Sequence, residues 1–171
     1  HMVYAMLAAY AIGKKLGLDD AALCRGIASF TPTELRMNIY KNEKYTILDD
    51  SYNASPASMK AAIDVLEAQK GGRHVAILGD MFEMGFYSEK GHREVGAYAA
   101  EHGVELLLTA GGDAHYIAEE AASRAPGMEV HAFSDLEELK KKLFSLLQTG
   151  DIILVKASRR MAFDTISQMI R

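Results

Sequence analysis

The run Leu48-Asp49-Asp50-Ser51-Tyr52-Asn53-Ala54-Ser55-Pro56 joins a short apolar segment to a helix start. Adjacent carboxylates repel, so Asp49 and Asp50 together ask for a purpose. Asp50 and Asn53 offer groups suited to a ribose hydroxyl, a base edge or a metal-bound water, and Tyr52 offers an aromatic face. Ser55 stands where it can cap a helix whose first turn holds Pro56. A plainer arrangement is equally open: both aspartates in solvent and Tyr52 packed.

Three further stretches carry polar groups after apolar runs. In Leu78–Gly85, Gly79 allows a tight turn, Asp80 and Glu83 face a cleft, and Met81, Phe82 and Met84 form an apolar wall or plain core. Thr109–His115 holds two glycines before a helix, which suits either a phosphate cradle or an ordinary turn; it has no lysine and no full dinucleotide pattern. Val155–Met161 brings Lys156, Ser158, Arg159 and Arg160 to a helix start, a combination that suits a carboxylate or a phosphate, or a solvated basic turn. There is no Walker sequence, so the chain alone does not cradle a triphosphate in the P-loop manner. The six histidines lack metal-ligand spacing; His92, His102, His115 and His131 read as surface residues, and no metal is assigned.

The elements that must position these groups follow from periodicity. Residues 3–16 read as an Ala- and Leu-rich helix ended by Gly17, and a second helix follows with Asp19 as its N-cap. A connector carries Pro32, and a hairpin turns about Lys41–Glu43. Strands are expected at Thr46–Asp49, Val75–Leu78, Glu105–Thr109, Glu129–Ala132 and Ile152–Val155. Helices are expected at Ala57–Gln69, Lys90–His102, Ala114–Arg124, Leu136–Leu147 and Met161–Ile170. Strand–helix alternation with continuous apolar strands predicts an α/β, doubly wound, mostly parallel sheet with one antiparallel hairpin strand, and two leading helices beside it. Ligands of such sheets bind at the carboxyl ends of the strands, where all four polar loops lie.

Composition narrows the classes. The chain has 171 residues, 49% of them apolar and 25% charged, with a formal net charge of -4. That balance, with scattered Lys and Arg, speaks against nucleic-acid binding, and Lys140–Lys142 reads as the solvated face of a helix. No apolar run reaches the length of a membrane span. The single Cys24 permits no disulfide within the chain and fits a reducing compartment; it reads as a small buried thiol. The sequence starts inside a helix, as a piece of a longer chain would.

Taken together, Leu48–Leu66, Ala76–Gly85 and Asp151–Phe163 resemble the third domain of the Mur ligases. Their usual patterns, DDSYNANP, LGDMxELG and LVKGSRxxxME, occur here in the same order, and residues 28–37 resemble the family's interdomain linker. The resemblance is strongest to the branch that adds D-alanyl-D-alanine to UDP-N-acetylmuramoyl-tripeptide. It implies residues 1–34 as the helical end of a central ATPase domain with its linker, and 35–171 as a Rossmann-like C-terminal domain. It implies ATP and Mg2+ as cofactors, the Mg2+ held mainly by the central domain, and a cytoplasmic ligase of cell-wall precursor synthesis. Arg36 matches a residue that reaches the nucleotide phosphates, Asp50 the acid that holds the ribose, and Tyr52 and Asn53 the adenosine contacts. Asp80, Glu83, Ser158 and Arg159 match the side that meets the incoming dipeptide, with Arg160 facing solvent; no residue here is given a catalytic role. Leu35, Ser55 and Ala157 depart from the pattern, standing for glycine, asparagine and glycine. Alternatives are a free-standing Rossmann-type nucleotide-binding or interaction module, and a receiver domain using the acidic pair, Asp80, Thr109 and Lys156.

Overall fold

The computed structural model describes residues 2–30 and 34–171, and the chain divides into two compact units, 1–33 and 34–171. The connector expected at Thr31–Thr33 lies outside the described residues.

In the first unit, α1 (Met2–Lys15) and α2 (Asp20–Ala28) form a helical pair. Asp19 caps α2 by accepting the Ala22 N–H at 2.7 Å, as its position in the sequence predicts. Cys24 is exposed on α2, not buried; Leu23 is that helix's buried residue.

The second unit is one six-stranded sheet covered on both faces. Its strands are β1 (Asn38–Lys41), β2 (Thr46–Asp49), β3 (His74–Gly79), β4 (Leu106–Ala110), β5 (Glu129–Phe133) and β6 (Ile152–Lys156). The spatial order is β1-β2-β6-β3-β4-β5, with β1 antiparallel to β2 and every other pair parallel. The hairpin turn is set by Asn42, whose Oδ1 accepts the Lys44 and Tyr45 amides. The central strands are apolar along most of their length because both their faces are buried. Ala76, Leu78, Leu107 and Leu154 pack under α3 (Pro56–Glu67), α4 (Ser88–Glu101) and α5 (His115–Arg124). Val75, Ile77, Leu108, Ile153 and Val155 pack under α6 (Leu136–Leu146) and α7 (Asp164–Ile170). The last helix begins at Asp164, later than Met161, because Arg159–Met161 form a 3-10 turn and Ala162 adopts a left-handed conformation at φ 53°.

Among the described residues, no helix is long and apolar enough to cross a membrane. Parallel pairing of β2, β6, β3 and β4 brings four loops to one edge: 50–55, 80–84, 111–114 and 157–160.

Candidate functional site

Three of those loops line a cleft of about 520 Å³, contributed by Tyr52–Ser55, Phe82–Met84 and Ser158–Arg160. β6 lies between β2 and β3, so the first, second and last polar loops of the sequence become neighbours in space.

The 50–55 loop is anchored from below. Lys156, only 2% exposed, points its Nζ at the Asp50 carboxylate and donates to the Asn53 carbonyl at 2.8 Å. The other Asp50 oxygen accepts the Met37 amide at 3.0 Å. Lys156 is therefore an internal brace, not a group offered to a ligand, which corrects its expected place among the anion-binding residues of the last loop. Asp50 keeps a side chain 14% exposed, and a carboxylate has lone pairs for a further donor. Asp49 is fully buried; it accepts the Ser51 hydroxyl at 2.6 Å and pairs with Arg171. The adjacent carboxylates thus diverge, each to its own cation, and neither is solvated. Ser55 and Ser58 form a reciprocal cap at the start of α3. Tyr52 and Asn53 are left exposed at the cleft, and the Arg36 guanidinium lies over the Tyr52 ring at 4.1 Å.

The 80–84 loop is held by side chains from elsewhere. Asp80 does not line the cleft. Its buried carboxylate accepts the Gly112, Asp113 and Ala114 amides at 2.9, 2.9 and 2.7 Å. The cradle-like Gly111–Ala114 turn is therefore filled by an anion of the chain itself. Gly111, at φ +135°, is needed twice over: a Cβ there would lie 2.3 Å from the Asp80 carboxylate. Gly79 does not make a tight turn as expected; a Cβ at that position would strike Phe163 and Ala157 at 2.6 and 2.8 Å, so close packing requires it. Met81 is core, while Phe82, Glu83 and Met84 reach the cleft. Glu83 is exposed and sits at φ 64°.

His92 is fully buried, not a surface residue. Its Nε2 accepts the Met81 amide at 3.0 Å, and its Nδ1 faces the Ser88 carbonyl at 2.8 Å. Those partners place the ring proton on Nδ1 and make His92 a prop for the loop. Only its helical spacing to Val95 and Ala99, which are also buried on α4, signals this in the sequence.

The last loop closes the cleft. Ser158 is 4% exposed; its amide donates to the Asp80 carbonyl at 3.0 Å and its Oγ accepts the Phe82 amide at 2.8 Å. Arg159 is half exposed and pairs with Asp164 at 3.2 Å. Arg160 does not simply face solvent: its guanidinium lies over the Phe82 ring at 4.6 Å, and both residues line the cleft. Arg160 and the half-exposed Arg159, the latter already paired with Asp164, give the cleft a basic edge beside Glu83, which suits an anion. Glu83 is the one carboxylate lining the cleft, so a Mg2+ here would take its other ligands from water and phosphate oxygens.

Residues 35–159 match the family described as Mur ligase, glutamate ligase domain. This chain belongs to the Mur ligase family. It is 33% identical over 168 residues to the UDP-N-acetylmuramoyl-tripeptide--D-alanyl-D-alanine ligase of Bacillus subtilis, covering 97% of this chain and 37% of that protein. The Escherichia coli enzyme of the same name is 34% identical over 174 residues, covering 100% of this chain and again 37% of the relative. The chain thus spans just over a third of the length of the curated Mur ligases it matches. Among solved structures, MurF from Acinetobacter baumannii superposes with a TM-score of 0.85 at 28% identity, over 96% of this chain and 36% of that one. MurF ligase from Thermotoga maritima, solved in complex with ADP, gives 0.74 at 26% identity, over 93% and 35%. A Mur ligase domain replaces the receiver alternative; the position where the family pattern has glycine is left-handed here, at φ 61°, so Leu35 departs from the pattern at a cost in backbone strain.

Proposed function

We propose that this chain is the C-terminal part of an ATP-dependent ligase that joins D-alanyl-D-alanine to UDP-N-acetylmuramoyl-tripeptide in the cytoplasm, making a peptidoglycan precursor. The observation that carries the reading is the cleft itself: a basic, partly aromatic groove built from the three loops that bear the family's motifs. The relatives' names supply the substrates, and the ADP complex of the Thermotoga relative supports a nucleotide near this domain.

In this reading residues 1–34 belong to the end of a central ATPase domain and 35–171 close over its nucleotide. Arg36, stacked on Tyr52, reaches toward phosphates. Tyr52 and Asn53 meet the adenosine, and Asp50, fixed by Lys156, accepts a ribose hydroxyl on its open side. Glu83, Ser158 and Arg159 meet the dipeptide: the guanidinium takes its carboxylate, and the carboxylate of Glu83 holds its amine. Asp80 supports that wall through the backbone and touches no ligand. Mg2+ is held outside this cleft, by phosphates and the central domain.

The test is ligation by the complete protein that contains this chain, supplied with ATP, the tripeptide precursor and D-alanyl-D-alanine. The pentapeptide product and ADP should form, while residues 1–171 alone should release no phosphate from ATP. Arg159→Ala should raise the KM for the dipeptide about tenfold and leave that for ATP nearly unchanged, a loss of about 1.4 kcal/mol for a half-exposed guanidinium. A complete protein that is folded and binds ATP but forms no product would overturn the reading. An Arg159→Ala enzyme of unaltered dipeptide KM would move the carboxylate site to Arg160.

A further inference from the structure

Away from the cleft, Asp64 and Glu67 on α3 and His102 at the end of α4 converge, with one ligating atom of each within 4.8 Å of the other two. Asp64 and Glu67 are one helical turn apart on one face, where like charges repel. Among the described residues, neither forms an ion pair with a Lys or Arg; nearby Lys60 is engaged by Glu94 at 3.1 Å instead.

The three groups are also oriented from behind. The His102 Nδ1 faces the Tyr98 carbonyl at 2.9 Å, which places the proton there and leaves the Nε2 lone pair free. The His102 ring stacks on the Tyr98 ring at 3.6 Å and 13°. The Tyr98 hydroxyl donates to one Asp64 oxygen at 2.5 Å, leaving the other open. This is the arrangement in which outer partners fix the tautomer of a histidine ligand and the direction of a carboxylate. Three ligand atoms around one tetrahedral ion, each about 2.1 Å from it, lie about 3.4 Å from one another. The trio lies within 4.8 Å, so binding closes it by up to about 1.4 Å, a rotamer adjustment open to the exposed Asp64 and Glu67 against a half-buried His102.

We propose that Asp64, Glu67 and His102 form a binding site for a divalent transition-metal ion, zinc or manganese in class. Two carboxylates with one imidazole suit such ions better than magnesium, which prefers oxygen alone. Three protein ligands leave positions open to water, and the ion joins the end of α3 to the end of α4 and relieves the repulsion between the carboxylates. The site is independent of the ligase reading, since none of its residues lines the cleft.

The experiment is amide NMR of the 171-residue chain in a Cys24→Ser background, which removes the exposed thiol as a competing ligand. Sub-stoichiometric Mn2+ should broaden amides at 64–67 and 98–103, and Zn2+ should restore them by displacement. His102→Ala should abolish the effect. Tyr98→Phe, which keeps the ring stack and loses only the hydroxyl, should weaken Zn2+ binding about tenfold in calorimetry. Absence of broadening at these amides in the parent protein would overturn the site. So would broadening there that persists in His102→Ala.

Discussion

Replacing Lys156 by methionine should unsettle the cleft floor more than any exposed change around it. The substitution keeps most of the volume of a side chain that is 2% exposed and removes only the ammonium. Three acceptors then lose their donor: the Asp50 carboxylate, the Asp50 carbonyl and the Asn53 carbonyl. Removing one member of a buried ion pair costs about 3–5 kcal/mol, because the remaining charge is stranded. Asp50 keeps the Met37 amide and is 14% exposed, so the lower end, about 3 kcal/mol, applies. With a urea slope of about 2 kcal/mol per M, the main unfolding midpoint should fall by about 1.5 M. Far-UV circular dichroism follows it, since the chain has no tryptophan. Asp50→Asn in the Lys156→Met background removes the stranded charge and keeps an acceptor for Met37, so more than half of the loss should return. A single-variant cost below about 1 kcal/mol, or strict additivity of the two changes, would refute the brace.

Asp80→Asn leaves an amide N–H2 facing one of three backbone donors, so it should cost about 2–3 kcal/mol and speed hydrogen exchange at Gly112–Ala114; protection equal to the parent would show that the carboxylate is not what holds them. Leu35→Gly should stabilise the second unit by about 0.5–1 kcal/mol, because a left-handed leucine is strained and glycine is not; a lowered urea midpoint would mean that the leucine side chain contributes more by packing than its backbone costs. Backbone amides of Glu138 and Glu137 hold the Asp135 carboxyl below its usual range, so its contribution to α6 is complete above the ordinary aspartate value near 3.8 and is lost as pH falls through the depressed one. Carboxyl NMR should therefore show Asp135 titrating below that value, and Asp135→Ala should remove the acid-side loosening of α6; an ordinary midpoint would refute the cap's charge.

The sheet was readable because its signals are local. Val75–Leu78 and Ile152–Val155 are short, wholly apolar runs, and a strand buried on both faces needs nothing else. Ser55, Asp19 and the hairpin turn were readable for the same reason, since a cap or a turn bonds to atoms within three residues. What the sequence hid is the destination of side chains that act at a distance. Asp80 reaches amides 32–34 positions away, and Lys156 reaches a carboxylate 106 positions away. No periodicity encodes either pairing; both follow only once β4 lies beside β3 and β6 beside β2. His92 was misplaced because one imidazole among helix polars looks solvated until Met81 is seen to need an acceptor. Tyr52, Asn53, Glu83 and Arg159 are exposed at one cleft, and what they bind there belongs to the proposal.

The order β1-β2-β6-β3-β4-β5 also governs when this unit can come into being. Its last strand in sequence is its third in space, wedged between β2 and β3 and hydrogen-bonded to both. During synthesis, everything up to α6 can leave the ribosome while the hairpin and the β3–β5 half still have nothing to join them. Only the arrival of 152–156 fuses the halves of the sheet, and that strand brings Lys156 and the Ser158 loop after it to the cleft. Assembly and competence are thus a single late event: a nascent chain stalled before Ile152 has two more unpaired sheet edges than the finished unit and no complete site, the kind of species that chaperones exist to hold.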